Sequence, residues 1–125
     1  MGLRRELQQG REYWVAQLSN GRLNDERVHL IRTDLLSMPL GSIMVIDFTD
    51  VDYVGSRGLG GLIKLLKLAK SCRVSIIITG LQQPIWALFE LTKMHKIFPV
   101  YRDIDTWLDT QPQKTAQLAR LSEDD

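Results

Sequence analysis

The sequence predicts an α/β domain on a mixed sheet of four or five strands, with helices packed mainly on one side. Three observations carry that expectation. The apolar block Ile43-Met44-Val45-Ile46 closes on Asp47-Phe48 and is rich in β-branched residues, as a strand buried on both faces is. A second block, Val74-Ser75-Ile76-Ile77-Ile78-Thr79, has the same character and ends on Gly80. Between them Leu59, Leu62, Ile63, Leu66 and Ala69 recur at helical spacing. Strand, helix and strand in that order form a right-handed crossover, which sets the two strands parallel.

Taken in order, residues 2–11 are mostly polar and read as a mobile stretch or a frayed helical turn, an N-terminal extension (1–11) to a domain spanning 12–110. Glu12 to Leu18 contains Tyr13, Trp14, Val15 and Ala16 and reads as a strand. Ser19-Asn20-Gly21 marks a turn. Asn24 or Asp25 then caps a helix from Glu26 to Ser37, with Val28, Ile31, Leu35 and Leu36 on its apolar face. Met38-Pro39-Leu40-Gly41 breaks that helix, and the central strand follows over 43–48.

A polar turn, Thr49-Asp50-Val51-Asp52, leads through Tyr53-Val54 into Gly55-Ser56-Arg57-Gly58-Leu59-Gly60-Gly61. A helix runs from there over 57–70, with Lys64 and Lys67 opposite its apolar stripe. Gly60 and Gly61 fall away from that stripe, which predicts an exposed smooth patch, and Leu65 and Leu68 widen it enough for a partner or a homodimer contact. After the strand at 74–79, Gln82 or Gln83 opens a helix with Pro84 in its first turn and Ile85, Leu88, Phe89 and Thr92 facing inward. Ile97 to Tyr101 reads as a short edge strand because Pro99 would interrupt a central ladder. Asp103 or Asp105 caps a last helix with Ile104, Trp107 and Leu108 inward, ended by Pro112. Residues 111–125 form a polar tail with an acidic end.

Composition narrows the function classes. The 125 residues suit one domain, and a formal net charge of +1 provides no field to draw the chain to nucleic acid or an anionic membrane. A single cysteine, Cys72, excludes an internal disulfide and a cysteine-rich zinc site. No apolar run approaches the roughly 18 residues of a membrane span, and the N-terminus lacks the apolar core of a signal peptide, so a cytoplasmic location is expected. The glycine-rich turn fails both phosphate-loop patterns. No Lys follows Gly60, and Ile63 stands where a dinucleotide fingerprint needs its last glycine. Asp47, Asp50 and Asp52 have no nucleophile or histidine set around them, and His29 and His95 share no motif spacing. The expectation is a chain with no catalytic residues, no metal site and no cofactor, and a nucleotide-binding protein is the weakest reading.

The turn at Ser56 is the chemically distinctive stretch. A hydroxyl there can cap the helix. It also stands where free backbone N–H groups and the helix dipole favour a phosphate. Here the sequence resembles the STAS domain family (sulfate transporter and anti-sigma factor antagonist). Asp47-Phe48-Thr49, the apolar and aromatic pair Val51 and Tyr53, and Ser56-Arg57-Gly58-Leu59-Gly60 follow that family's pattern of a strand ending in Asp-[Leu/Phe]-[Ser/Thr] and an Asp-Ser-[Ser/Thr]-Gly-Leu-Gly turn. Gly55 stands for the usual Asp and Arg57 for the usual Ser or Thr. Gly21-Arg22-Leu23-Asn24 resembles the Gly-Glu-Leu-Asp element before the family's first helix, and the family's additional first strand is expected to be short or absent.

The resemblance implies a STAS-type fold and a protein that works by binding others. By analogy with the anti-sigma factor antagonists, Ser56 is the phosphorylation site. The docking face implied comprises Asp52, Gly55, Ser56, Arg57, Gly58, Gly60, Gly61 and Lys64. The partners implied are a serine kinase of the anti-sigma type and a PP2C-type phosphatase that resets the switch. The alternative is a non-phosphorylated STAS scaffold or subunit, attached to a transporter or another complex, with Arg57 making the turn a permanently set binding surface.

Overall fold

The computed structural model describes residues 3–18 and 21–110. Its main sheet has five strands in the order β1-β2-β4-β6-β7, where β1 is Leu3–Gln8, β2 Arg11–Gln17, β4 Ile43–Asp47, β6 Ser75–Thr79 and β7 Val100–Tyr101. The strands from β2 to β7 pair in parallel, as the crossover argument requires, and β1 adds an antiparallel edge. The sheet is thus mixed, as expected.

The stretch expected to be mobile or a frayed helical turn is instead this edge strand, and it runs six residues. Gln9 and Gly10 carry φ of 53° and 75°, the left-handed pair that a two-residue hairpin needs. Leu3 lies opposite Ala16 and packs on the main core, while Arg5 pairs with Glu12 across the hairpin at 2.9 Å. An edge strand needs only one inward side chain to be useful, so its composition stays polar.

Alternation along β4 divides the interior in two. Met44 and Ile46 belong to the larger core, which α1 (Asp25–Leu36), α2 (Ser56–Ser71) and α3 (Gln83–Leu91) cover. Val45 points into a smaller cluster with Tyr13, Val15, Ile77, Trp107 and Leu108. The last two come from α4 (Ile104–Thr110), which among the described residues is the helix that covers the opposite face. Tyr13 and Trp107 meet edge to face at 5.2 Å. Asp103 caps α4, accepting from the Thr106 N–H at 2.7 Å.

Three elements differ from expectation. The buried arc of α2 is Gly58, Leu62, Leu65, Leu66 and Ala69. Leu65 is therefore in the core and not free for a partner, and Ile63 is exposed. The rotation follows from α1 lying along one flank of α2. Thr92 is exposed at the end of α3, its hydroxyl donating to the Leu88 carbonyl at 2.8 Å. The last strand is shorter than 97–101 because Met94–Lys96 forms a 3-10 turn and Phe98 turns into the core. Pro99 lends the ladder only its carbonyl, which accepts from the Ile78 N–H at 2.9 Å.

A second, two-stranded sheet lies in segments that were not expected to be strands. β3 (Gly21–Leu23) and β5 (Val51–Val54) pair in parallel, with Arg22 beside Tyr53 and Leu23 beside Val54. Each strand runs directly into a helix, β3 into α1 and β5 into α2.

Candidate functional site

The site begins at the end of β4. Asp47 Oδ1 accepts from the Thr49 N–H at 2.9 Å and from the Thr49 hydroxyl at 2.6 Å. Gln82 Nε2 donates to the Thr49 carbonyl at 2.8 Å. Gly80, at φ +78°, closes in from β6, and a Cβ there would stand 2.5 Å from Thr49 Oγ1. Asp47 thus fixes the β4–β5 loop through a side-chain-to-backbone turn. Buried Val51 and Val54 then anchor β5 and aim the chain at the turn.

Gly55 is the N-cap of α2, with φ −80° and ψ 170° and no side-chain cap. Ser56 is the first helical residue and exposed, so the capping role expected of its hydroxyl falls to Gly55. The first turn of α2 contains no acidic residue. Its N-terminal partial positive charge is therefore not offset from within the helix, and a phosphoester on Ser56 Oγ would be favoured there.

The four glycines around Ser56 serve different ends. Gly58 is buried, and a Cβ on it would meet the Leu23 carbonyl oxygen at 2.6 Å. The bare glycine lets the first turn of α2 lie on the end of β3. Gly61 faces α1, where a Cβ would come 2.8 Å from Val28 Cγ1, so it is not part of an exposed patch. Gly60 has nothing within 4 Å of its Cβ position and is open to solvent. At Gly55 a Cβ would touch the Tyr53 ring at 3.5 Å, ordinary contact.

Of the remaining expected residues, Asp52, Arg57 and Lys64 are all exposed. Asp52 Oδ1 is 3.2 Å from where a Cβ would stand on Gly21. Arg57 Nη1 pairs with Asp25 Oδ2 at 3.0 Å, joining the start of α2 to the start of α1. Lys64 lies further along, on a cleft between α1 and α2.

Three residues outside the expected set complete the surface. Tyr53 is 57% exposed beside the turn, and the Arg22 guanidinium lies over its ring at 5.8 Å, within cation–π range. Asp25 joins them in lining a hollow of about 290 Å³ between the two helix starts. The exposed aromatic at Tyr53 was visible in the sequence, whereas its neighbours come together only through the β3–β5 pairing.

The two histidines stand differently toward this surface, His29 on the rim of the cleft with Lys64 and His95 away from it. His29 is exposed on α1, and His95 packs through Nδ1 on the Phe89 carbonyl at 3.2 Å and edge-on to Trp86. Among the described residues no three His, Cys, Asp or Glu side chains gather as a metal site, and no helix is long and apolar enough to cross a membrane.

A mixed sheet with three helices on one face, an Asp-x-Thr loop and a glycine-framed serine at a helix start define a small α/β domain. The STAS domain model matches residues 5–107, and the chain belongs to that family. Solved structures agree in fold. A crystal structure of a candidate anti-sigma factor antagonist from Thermotoga maritima has a TM-score of 0.63 at 19% identity, covering 86% of this chain and 92% of its own. An NMR structure of that protein gives 0.67 at 18%, covering 85% of each. An anti-sigma-factor antagonist (STAS) domain protein from Planctomyces limnophilus gives 0.63 at 16%, covering 97% of this chain and 99% of its own.

Proposed function

We propose that this chain is a protein-binding regulator of the anti-sigma factor antagonist kind, switched by phosphorylation of Ser56. The observation that carries the reading is the placement of Ser56. It is an exposed hydroxyl at the uncapped start of a sixteen-residue helix, on a turn held rigid from behind. Transfer of a phosphoryl group to Oγ would add about −1.5 to −2 charge at the turn. Helix and sheet contacts need not change, because the side chain faces solvent. A docked partner would meet a new charge in place of a small neutral group.

The partner is a serine kinase of the anti-sigma type, and a PP2C-type phosphatase returns the serine to its starting state. Asp52, Gly55, Ser56, Arg57, Gly60 and Lys64 supply the contact surface, with Gly58 and Gly61 shaping it from beneath. The chain acts by binding and not by catalysis, in the cytoplasm. Incubation with the cognate kinase and ATP, followed by mass spectrometry, should place one phosphate on Ser56 and none on the Ser56→Ala variant. Phosphate that persists in that variant, or no phosphate on either, would refute the switch.

One observation favours a second reading. Arg57 already provides a fixed charge beside the serine and is engaged with Asp25. The turn could then be a permanently set docking surface of a scaffold or subunit. In that case Ser56→Asp binds the partner as tightly as the unmodified chain does.

A further inference from the structure

The cleft between α1 and α2 runs on from the Ser56 turn, shares Arg57, Gly60, Gly61 and Lys64 with the docking face proposed above, and is strongly charged. A hollow of about 450 Å³ carries Arg57, Arg32, Lys64 and His29 on its rim, with Asp25 as its single carboxylate. Arg57 is the partner of that carboxylate. Arg32 and Lys64 have no ion pair or hydrogen bond among the described residues. A second hollow of about 120 Å³ continues the first, sharing Arg32, Lys64, Val28 and Gly61 with it. Its floor is apolar, made by half-buried Val28 and Leu68 over the core residue Leu65.

We propose that this cleft docks an acidic amphipathic helix of a protein partner. The apolar floor calls for aliphatic side chains, and the two unpaired cations on opposite walls call for carboxylates flanking them. The walls are helices whose backbone groups are already bonded internally, so they give an extended strand no ladder to join. A helical ligand satisfies its own backbone and needs none. From Arg57 to Leu68 the groove follows α2 for about 16 Å, roughly three turns of a docked helix. Gly60 leaves the wall flat near its Arg57 end, since nothing stands within 4 Å of its Cβ position. The inference rests on the reading that the Ser56 turn docks a protein, and it gives the chemistry of the element that lies beside it.

The test uses a defined probe, a helix-stapled peptide of about 14 residues with leucines on one face and glutamates flanking them. Titrated into isotope-labelled protein, it should shift the amides of Gly60, Gly61 and their neighbours on α1 and α2, and bind more weakly when salt is raised from about 50 to about 300 mM. A peptide with lysine for glutamate should not bind. The Arg32→Glu/Lys64→Glu double variant, checked for fold by circular dichroism, should weaken binding at least about tenfold. Gly60→Leu should block the groove while leaving the fold intact. Shifts spread elsewhere on the molecule, no binding, or binding unchanged by the charge reversal would overturn the proposal. Ser56 itself is not among the residues that line the two hollows, so the two readouts are separate. A chain that takes the peptide but never a phosphate would therefore defeat the switch alone, and a chain phosphorylated on Ser56 that ignores the peptide would defeat the cleft alone.

Discussion

Gly58 and Gly60 sit two residues apart in one helical turn and should respond oppositely to the same methyl group. In a helix interior glycine costs about 0.8–1.0 kcal/mol relative to alanine, mainly through backbone entropy. At Gly60 nothing opposes recovery of that amount, because its Cβ position is empty to 4 Å. Gly60→Ala should therefore stabilise the fold by about 1 kcal/mol, raising the melting temperature by roughly 3–6 °C for a domain of this size. At Gly58 the same methyl would stand 2.6 Å from the Leu23 carbonyl oxygen, a backbone atom that moves only with β3. Overpacking of that kind costs about 1–3 kcal/mol, and its upper part applies where backbone must yield. After the propensity gain, Gly58→Ala should lose about 1–2 kcal/mol. Urea unfolding with a common slope, read beside thermal melts, measures both. Equal stability of the two variants would refute the description of α2 resting on β3 through Gly58.

The remaining predictions concern ion pairs and pH. The Arg57–Asp25 pair is exposed on both sides, at 85% and 59%, so a double-mutant cycle should return a coupling of no more than about 0.5 kcal/mol that salt removes. Asp103 has its carboxyl held below the ordinary range, first by its hydrogen bonds from Thr106 and then by Arg102. A depressed folded value contributes stability above the unfolded value and loses it as pH falls through the folded one. Asp103→Ala should therefore lower the melting temperature at pH 7 and converge on the parent in strong acid, which melts across the acid range will show. Tyr13 is pushed up from the ordinary phenol value of 10.0, first by burial and then by Glu6 and Asp105. Its contribution is complete below the unfolded value and is lost as pH climbs through the folded one. Tyr13→Phe should flatten the fall of melting temperature above pH 10, at a neutral-pH cost of about 1 kcal/mol for the lost bond from Gln8.

What the sequence made legible was whatever depended on near neighbours in the chain. β4 and β6 are buried on both faces, so they appear as short apolar blocks rich in β-branched residues. The caps at Asn24 and Asp103 were readable because a cap acts within three residues. β1 was not, because Arg4, Arg5 and Gln8 face solvent and only Leu3 is drawn to the core. β5 was missed for a similar reason. Its buried residues are Val51 and Val54, three apart, with Asp52 and Tyr53 both exposed, and that spacing breaks the alternation that identifies a strand.

At the site, the glycine-framed serine was plain, but the division of labour among the glycines was not. Gly58 answers to Leu23 and Gly61 to Val28, both more than thirty positions away. Likewise nothing local announces that Arg57 will find Asp25, or that Arg32 and Lys64 will share a cleft.

The small β3–β5 sheet sets a constraint of a different sort. Its two parallel strands end side by side, and a single cap residue, Asn24 or Gly55, separates each from its helix. One residue inserted at either link would turn the helix that follows by about 100°. The Arg57–Asp25 pair and the Gly61–Val28 contact would be lost together, and the cleft with them. Evolution or engineering can therefore exchange side chains on this surface while the chain length of both links stays fixed. The loop before β4 carries no such limit, because no helix phase depends on it.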